Sequence, residues 1–239
     1  EAEEEETAPV DELHAKLREL TGHRGFLPDQ REVIEQVEHG RDVLFVAPTG
    51  AGKSLAFQLP ALMVESGRVT VVISPLRSLI QDQVSALNQS AKRRRRPEVA
   101  IWLAEELKDP SDALSGRYQL VYLTPEKLAR NEAVRHGLRA LHARGQVRLV
   151  AVDEAHLVCE WSEFREDYLS IGPFCDKFLS GVPKLALTAT APATMRGQLA
   201  QRLRLGRHGT SGREAYEKIL SMYRPSLRLS VLHRKSSAD

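Results

Sequence analysis

FVAPTGAGKSLAFQLP, Phe45 to Pro60, is an apolar run that breaks into a glycine-rich turn and resumes as an apolar helical pattern. Ala47 to Ser54 fit [AG]xxxxGK[ST], with Ala47 where the strict form has glycine. A strand that turns through glycines into a helix presents several backbone N–H groups and the positive end of a helix dipole to one point in space, which suits a phosphate. Gly50 and Gly52 let the backbone approach closely. The expected nucleotide contacts are therefore Thr49, Gly50, Ala51, Gly52, Lys53 and Ser54. Lys53 is placed to reach the β and γ phosphates, and the Ser54 hydroxyl to ligate Mg²⁺. The same letters also suit an ordinary glycine-rich turn, so the surroundings must decide.

Outward from that stretch, short apolar runs alternate with longer helical patterns. The runs are DVLFV (Asp42 to Val46), VTVVI (Val69 to Ile73), VAIW (Val99 to Trp102), QLVYLT (Gln119 to Thr124), VRLVAV (Val147 to Val152) and KLALT (Lys184 to Thr188). They are rich in Val, Ile and Leu without polar alternation, as strands buried on both faces are. Ser54 to Glu65 places Leu55, Leu59, Leu62 and Met63 on one helical face, and Pro125 to His142 reads as helical after a proline start. The expectation is an α/β fold of the P-loop NTPase (RecA-like) kind: a mostly parallel sheet with helices on both faces, a three-layer sandwich whose ligands sit beyond the carboxyl ends of the strands.

Two further motifs fall just after such strands. Asp153-Glu154-Ala155-His156 ends VRLVAV. A carboxylate there can hold Mg²⁺ through its water shell and a second can polarise the attacking water, roles expected of Asp153 and Glu154 respectively. With Lys53 and His156 they form the expected catalytic set, converging at neighbouring strand tips. Read alone, the four letters also suit a helix cap with acids in its first turn. Thr188-Ala189-Thr190 ends KLALT, where Thr188 and Thr190 can sense the phosphate and pass its state to bound nucleic acid.

The chain has 239 residues, of which 42% are hydrophobic, enough for a packed core. Its net charge of +2 hides a gradient: residues 1 to 40 hold 12 acidic and 4 basic side chains, and residues 182 to 239 hold 3 and 11. EAEEEET opens the chain as a solvated tail, and Lys92 to Arg96 (KRRRR) suits a nuclear-import signal, a nucleic-acid contact or a solvated loop. No run of about 18 apolar residues or basic-then-apolar leader occurs, so an intracellular place is expected: nucleus if eukaryotic, cytoplasm if bacterial. Cys159 and Cys175 lack metal-ligand spacing and read as ordinary thiols.

From about Leu17 to Lys235 the chain resembles the first motor lobe of superfamily 2 helicases, and more narrowly the RecQ family of DNA helicases. The resemblance rests on APTGAGKSLAFQLPAL, ISPLRSLIQDQV, LVYLTPEKL, VDEAHLVCEWSEFREDYL and LALTATAP. It implies ATP and Mg²⁺ as cofactors, single-stranded and duplex DNA as partners, and a second RecA-like lobe in a longer protein. Residues 1–12 would then be an acidic tail, 13–235 the lobe and 236–239 the start of a linker. By the same likeness GHRGFLPDQ (Gly22 to Gln30) recognises adenine, with His23 stacking on the base and Gln30 reading its edge. Leu27 stands where the family has arginine. Trp161, Phe164 and Arg165 would form the aromatic-rich loop that couples single-stranded DNA to hydrolysis, one residue shorter than usual and without its histidine; core packing is the other reading of the two aromatics. Lacking the second lobe's arginines, the lobe alone is expected to bind nucleotide but hydrolyse it poorly, as a fragment or truncated relative. A binding module that no longer turns over ATP and an RNA helicase lobe are the competing readings.

Overall fold

Each apolar run of the sequence has become a strand whose successive side chains enter two separate cores. The computed structural model describes residues 11–64, 67–104, 106–107, 109–160, 166–206, 214–221 and 230. Along it run α1 (Glu12–Thr21), α2 (Gln30–Glu38), β1 (Val43–Val46), α3 (Leu55–Met63), β2 (Val69–Ile73), α4 (Arg77–Arg93), β3 (Ala100–Trp102) and β4 (Leu120–Leu123). Then come α5 (Pro125–Arg130), α6 (Glu132–Ala143), β5 (Val147–Val152), α7 (Leu157–Glu160), α8 (Glu166–Leu169), α9 (Ile171–Phe178), β6 (Lys184–Thr188), α10 (Ala193–Leu203) and β7 (Tyr216–Ile219). In β1, Val43 and Phe45 join the core with Leu17, Ile34 and Phe57 from α1 to α3, while Leu44 and Val46 join Leu138, Phe174 and Leu199 from α6, α9 and α10. That two-sided division makes a three-layer sandwich.

The strands form one sheet in the order β3-β4-β2-β5-β6-β1-β7, and every described pairing is parallel. All strand ends followed by the motifs therefore emerge on one edge. β1 and β5 are not neighbours as expected: β6 lies between them and pairs with both. The phosphate turn and Asp153 thus flank the end of β6, which carries Thr188.

Three other readings change. Pro125 to His142 is two helices, because Asn131 takes an extended φ of −100° and ψ of 105° and its side chain caps α6 through Val134 N at 3.0 Å. A seventh strand, β7, alternates half-buried and exposed residues at the sheet edge, a pattern too polar to read as a buried run. Tyr216 and Lys218 of β7 both reach the Glu32 carboxylate, and Lys218 also meets Asp29 at 2.7 Å, so the edge strand is pinned to the start of α2. Asp11 and Glu12, counted with the acidic tail, are the cap and first residue of α1, and Asp11 also pairs with Arg31.

At the opposite edge, Asp42 is buried and accepts from Lys184 N and Gly206 N, both at 2.7 Å. The buried Lys184 ammonium donates to Arg204 O at 2.7 Å and sits 3.4 Å from Asp176. This network joins β1, β6, α9 and the turn after α10. Cys159 and Cys175 are not joined in a disulfide. Among the described residues, no helix is long and apolar enough to cross a membrane.

Candidate functional site

The turn after β1 is shaped by two glycines in the left-handed region, Gly50 at φ 87° and Gly52 at φ 66°. At Gly52 conformation and space agree. A Cβ there would lie 2.3 Å from Gln30 Nε2, inside any allowed contact. The Gln30 side chain, 3% exposed, donates to Ala51 O at 3.1 Å and Gly52 O at 3.0 Å, while its Oε1 accepts from Leu27 N at 2.7 Å. Gln30 therefore clasps the turn from the first residue of α2. Thr49 and Gly50 are exposed and Ala51 is half-buried. Lys53 Nζ lies under the turn, donating to Ala47 O at 2.9 Å and Pro48 O at 3.4 Å. Ser54 occupies the cap position of α3, yet its hydroxyl makes no cap hydrogen bond.

His23 is exposed and lines a cavity of about 250 Å³ among α1, α3 and α4, with Leu20, Leu55, Gln58, Leu62 and Leu87. Gln30 is not part of that lining. Leu27 is 48% exposed beside Gly52, an apolar group at the mouth of the turn.

Across the tip of β6, Asp153 is buried, and burial first, then the charge of Glu154, pushes its carboxyl up to about 6. The Glu154 N–H donated to Asp153 Oδ1 at 3.0 Å and the charges of Lys53 and His156 oppose that rise. Glu154 behaves oppositely: its hydrogen bond with His156 outweighs burial and holds its carboxyl below the usual range, with Lys53 adding to the effect. Both carboxyls thus feel the Lys53 ammonium. Glu154 is also held at φ 48°, a strained region for a residue with a Cβ, at a cost of about 1 kcal/mol. Adjacent carboxyls whose affinities for protons are driven apart suit different tasks.

Thr188 ties the two halves together. Its carbonyl accepts from Ala47 N at 3.0 Å, at the root of the phosphate turn. Its buried hydroxyl donates to Thr190 O at 3.0 Å, accepts from Thr190 N at 3.2 Å, and lies 2.9 Å from His156 Nδ1. Since the hydroxyl proton goes to Thr190 O, Nδ1 is the donor, and the same nitrogen lies 3.3 Å from Glu154 Oε2. His156 thereby joins Glu154 to Thr188. Trp161, Phe164 and Arg165 lie outside the described residues.

The sequence reading gave no role to a polar groove of about 550 Å³ on the same edge, lined by Pro75, Arg77, Thr124, Glu126, Lys127, Arg130 and Asn131. Its walls come from the turns after β2 and β4, within segments whose letters were informative but whose meeting in space was not visible. Arg130 is held by a two-pronged bond to Asp167, at 3.2 and 2.6 Å.

The family model described as DEAD/DEAH box helicase matches residues 27–197, which take in the phosphate turn, the Asp-Glu-Ala-His segment and the Thr-Ala-Thr end of β6. The chain belongs to the DEAD/DEAH box helicase family. Its relatives within that family are of RecQ type. It is 40% identical over 197 residues to ATP-dependent DNA helicase Q-like 4B of Arabidopsis thaliana, covering 81% of this chain and 17% of that protein. To ATP-dependent DNA helicase RecQ of Haemophilus influenzae it is 32% identical over 216 residues, covering 90% of this chain and 32% of the relative. This DEAD/DEAH box chain therefore spans about a sixth to a third of those relatives. A crystal structure of the helicase MrfA bound to DNA and AMPPNP shares the fold, with a TM-score of 0.63 at 18% identity over 86% of this chain and 29% of that one.

Proposed function

We propose that the chain is the ATP-binding lobe of a RecQ-type, 3′ to 5′ DNA helicase that acts in recombination and repair, working with a second RecA-like lobe. The observation that carries this reading is the convergence of the phosphate turn and the Asp-Glu-Ala-His segment on Thr188, whose carbonyl accepts from Ala47 N and whose hydroxyl meets His156, close enough for the Lys53 charge to act on both carboxyls. In it Lys53 leaves its own loop's carbonyls for the β and γ phosphates, whose charge is a stronger partner than two neutral oxygens. The turn's backbone from Thr49 to Gly52 cradles the same phosphates.

Mg²⁺ fits the residues present. The buried Asp153 carboxyl, disfavoured as an anion by burial and by Glu154, gains from a cation, and Ser54 offers a hydroxyl that the helix cap does not use. Held by Asp153 and Ser54, such an ion would supply positive charge to offset that of the phosphates. Glu154, ionised and turned by its positive φ, orients and deprotonates the attacking water. His156 and Thr188 hold that carboxylate in place and carry its position to Thr190. Gln30, its amide committed to Leu27, Ala51 and Gly52, serves nucleotide binding by holding the turn rather than by reading the base edge, and His23 is left as the base-stacking side chain. Trp161, Phe164 and Arg165 contact single-stranded DNA, and the groove with Arg77 and Arg130 takes its backbone. The protein's place is intracellular.

Millimolar ATP with Mg²⁺ raises the melting temperature of the chain by several degrees, and Lys53→Ala abolishes the shift. A wild-type chain that gives no shift at millimolar ATP is instead a binding module that does not use nucleotide.

A further inference from the structure

The Lys92 to Arg96 run takes no part in the phosphate turn or the Asp-Glu-Ala-His segment, though Arg94 and Arg96 line the cavity beside His23, and its cations are arranged. Arg94 is a structural bolt: it donates from Nε to Glu19 O at 2.8 Å and from Nη1 to Ser90 O at 3.1 Å, tying the end of α4 to the end of α1. Lys92, Arg93, Arg95 and Arg96 are exposed. Several other surface arginines are neutralised, as Arg31 is by Asp11 and Glu35, Arg135 and Arg139 by Glu132, and Arg148 by Glu38, and exposed arginines without a carboxylate partner among the described residues, such as Arg24, Arg68 and Arg144, are scattered singly along the chain. These four have no carboxylate within ion-pair distance among the described residues. Lys92 and Arg96 wall a groove of about 470 Å³ with Ser85, Asn88, Gln89, Pro97 and Glu98.

Position separates this surface from the phosphate turn, although Arg96 also lines the cavity that His23 lines. α4 leaves the carboxyl end of β2 and its 17 residues run back to the start of β3, so the cluster lies about 25 Å away, at the opposite edge of the parallel sheet. Cations at a helix C-terminus offset the dipole, which accounts for Lys92 and Arg93. It does not account for the charges of Arg95 and Arg96 beyond the helix; the φ of 57° at Arg95 is that of the turn that closes α4, with Arg95 N donating to Lys92 O and Arg96 N to Ala91 O, both at 2.9 Å.

We propose that this cluster is a second, non-motor contact surface for the sugar-phosphate backbone of duplex DNA. Four unpaired cations within five residues match a polyanion with a charge every ~1.7 Å of axis. Guanidinium forks suit phosphate oxygens, and the Ser85 and Gln89 side chains beside them are of the neutral kind that also bonds phosphate. No aromatic residue occurs from Ser85 to Glu98, so unpaired bases find nothing to stack on, which favours a duplex over a single strand. The choice of DNA as the polyanion rests on the proposed function; the surface itself does not involve the phosphate turn or the Asp153–Glu154 pair.

The test replaces Lys92→Gln, Arg93→Gln, Arg95→Asn and Arg96→Gln together in the full chain and leaves Arg94 in place. Binding of a labelled 20-base-pair duplex and of a 20-residue oligothymidylate is read by fluorescence anisotropy at several KCl concentrations. Duplex affinity is expected to fall at least about tenfold at low salt, with the log-log salt slope shallower by about 3, while oligothymidylate affinity changes less than about twofold. In the Lys92→Gln, Arg93→Gln pair, which lies outside the cavity beside His23, the Mg²⁺-ATP thermal shift stays at its wild-type value, which separates this result from failure of the nucleotide reading. If the fourfold variant does not fold, the pairs Lys92→Gln with Arg93→Gln and Arg95→Asn with Arg96→Gln are each expected to give about half the slope change. Unchanged duplex affinity and slope, an equal loss for the single strand, or competition by polyglutamate as strong as by duplex would each overturn the proposal.

Discussion

Asp153 is the residue on which burial and function pull hardest in opposite directions. Its carboxyl is pushed up to about 6 from an ordinary value of 3.8. A folded-state value above the unfolded one means that the fold favours the protonated form, so the associated stability is present below the unfolded value and lost as pH rises through the folded one. Nucleotide-free Asp153→Asn should therefore be more stable than wild type at pH 8, by about 2 to 3 kcal/mol at most given about two units of difference. The gain should disappear near pH 4, and urea denaturation at the two pH values checks it. Gly52 is constrained twice, by φ and by the Gln30 amide. Gly52→Ala should cost about 1 to 3 kcal/mol and weaken ATP binding at least about tenfold. In a Gln30→Ala background the stability cost should shrink to the backbone part, which a double-mutant cycle by thermal unfolding measures. The phosphate turn and Asp-Glu-Ala-His were legible because their chemistry is local in the chain. The Gln30 clasp and the His156–Thr188 bridge were not, because the residues they join lie 22 and 32 positions apart.

At the scale of elements, the six apolar runs became strands because burial on both faces leaves no polar alternation to misread. β7 escaped that logic: Tyr216 and Lys218 are held by charged partners on α2, so its apolar content is low at the sheet edge. The break between α5 and α6 was hidden for a related reason. Apolar spacing continues through Asn131, and it is the extended backbone there, with its capping bond to Val134 N, that distinguishes two helices from one. Asn131→Ala should cost about 1 kcal/mol by loss of that cap, with unchanged nucleotide affinity, read by urea denaturation and a parallel ATP titration. An unchanged midpoint would mean that packing of Val134 and Leu138, rather than the cap, fixes where α6 starts. Charge runs were the least legible feature, since nothing in five consecutive cations marks Arg94 as the one that bolts α4 to α1.

In the whole molecule, parallel strands bring every motif to one edge of the sheet, while the buried Asp42–Lys184–Asp176 network closes the other. β6 acts as the spacer: its final residue touches the phosphate turn by backbone and the Asp-Glu-Ala-His segment by side chain. The account stands on a single magnesium-bound nucleotide being held from both flanks of that spacer. Calorimetric titration of ATP with and without Mg²⁺ tests it on wild type, Lys53→Ala and Asp153→Ala. Wild type should bind at least about tenfold more tightly with Mg²⁺; Asp153→Ala should keep the metal-free affinity but lose that enhancement, and Lys53→Ala should lose affinity in both conditions. An Asp153→Ala protein that still gains the full Mg²⁺ enhancement would contradict the account.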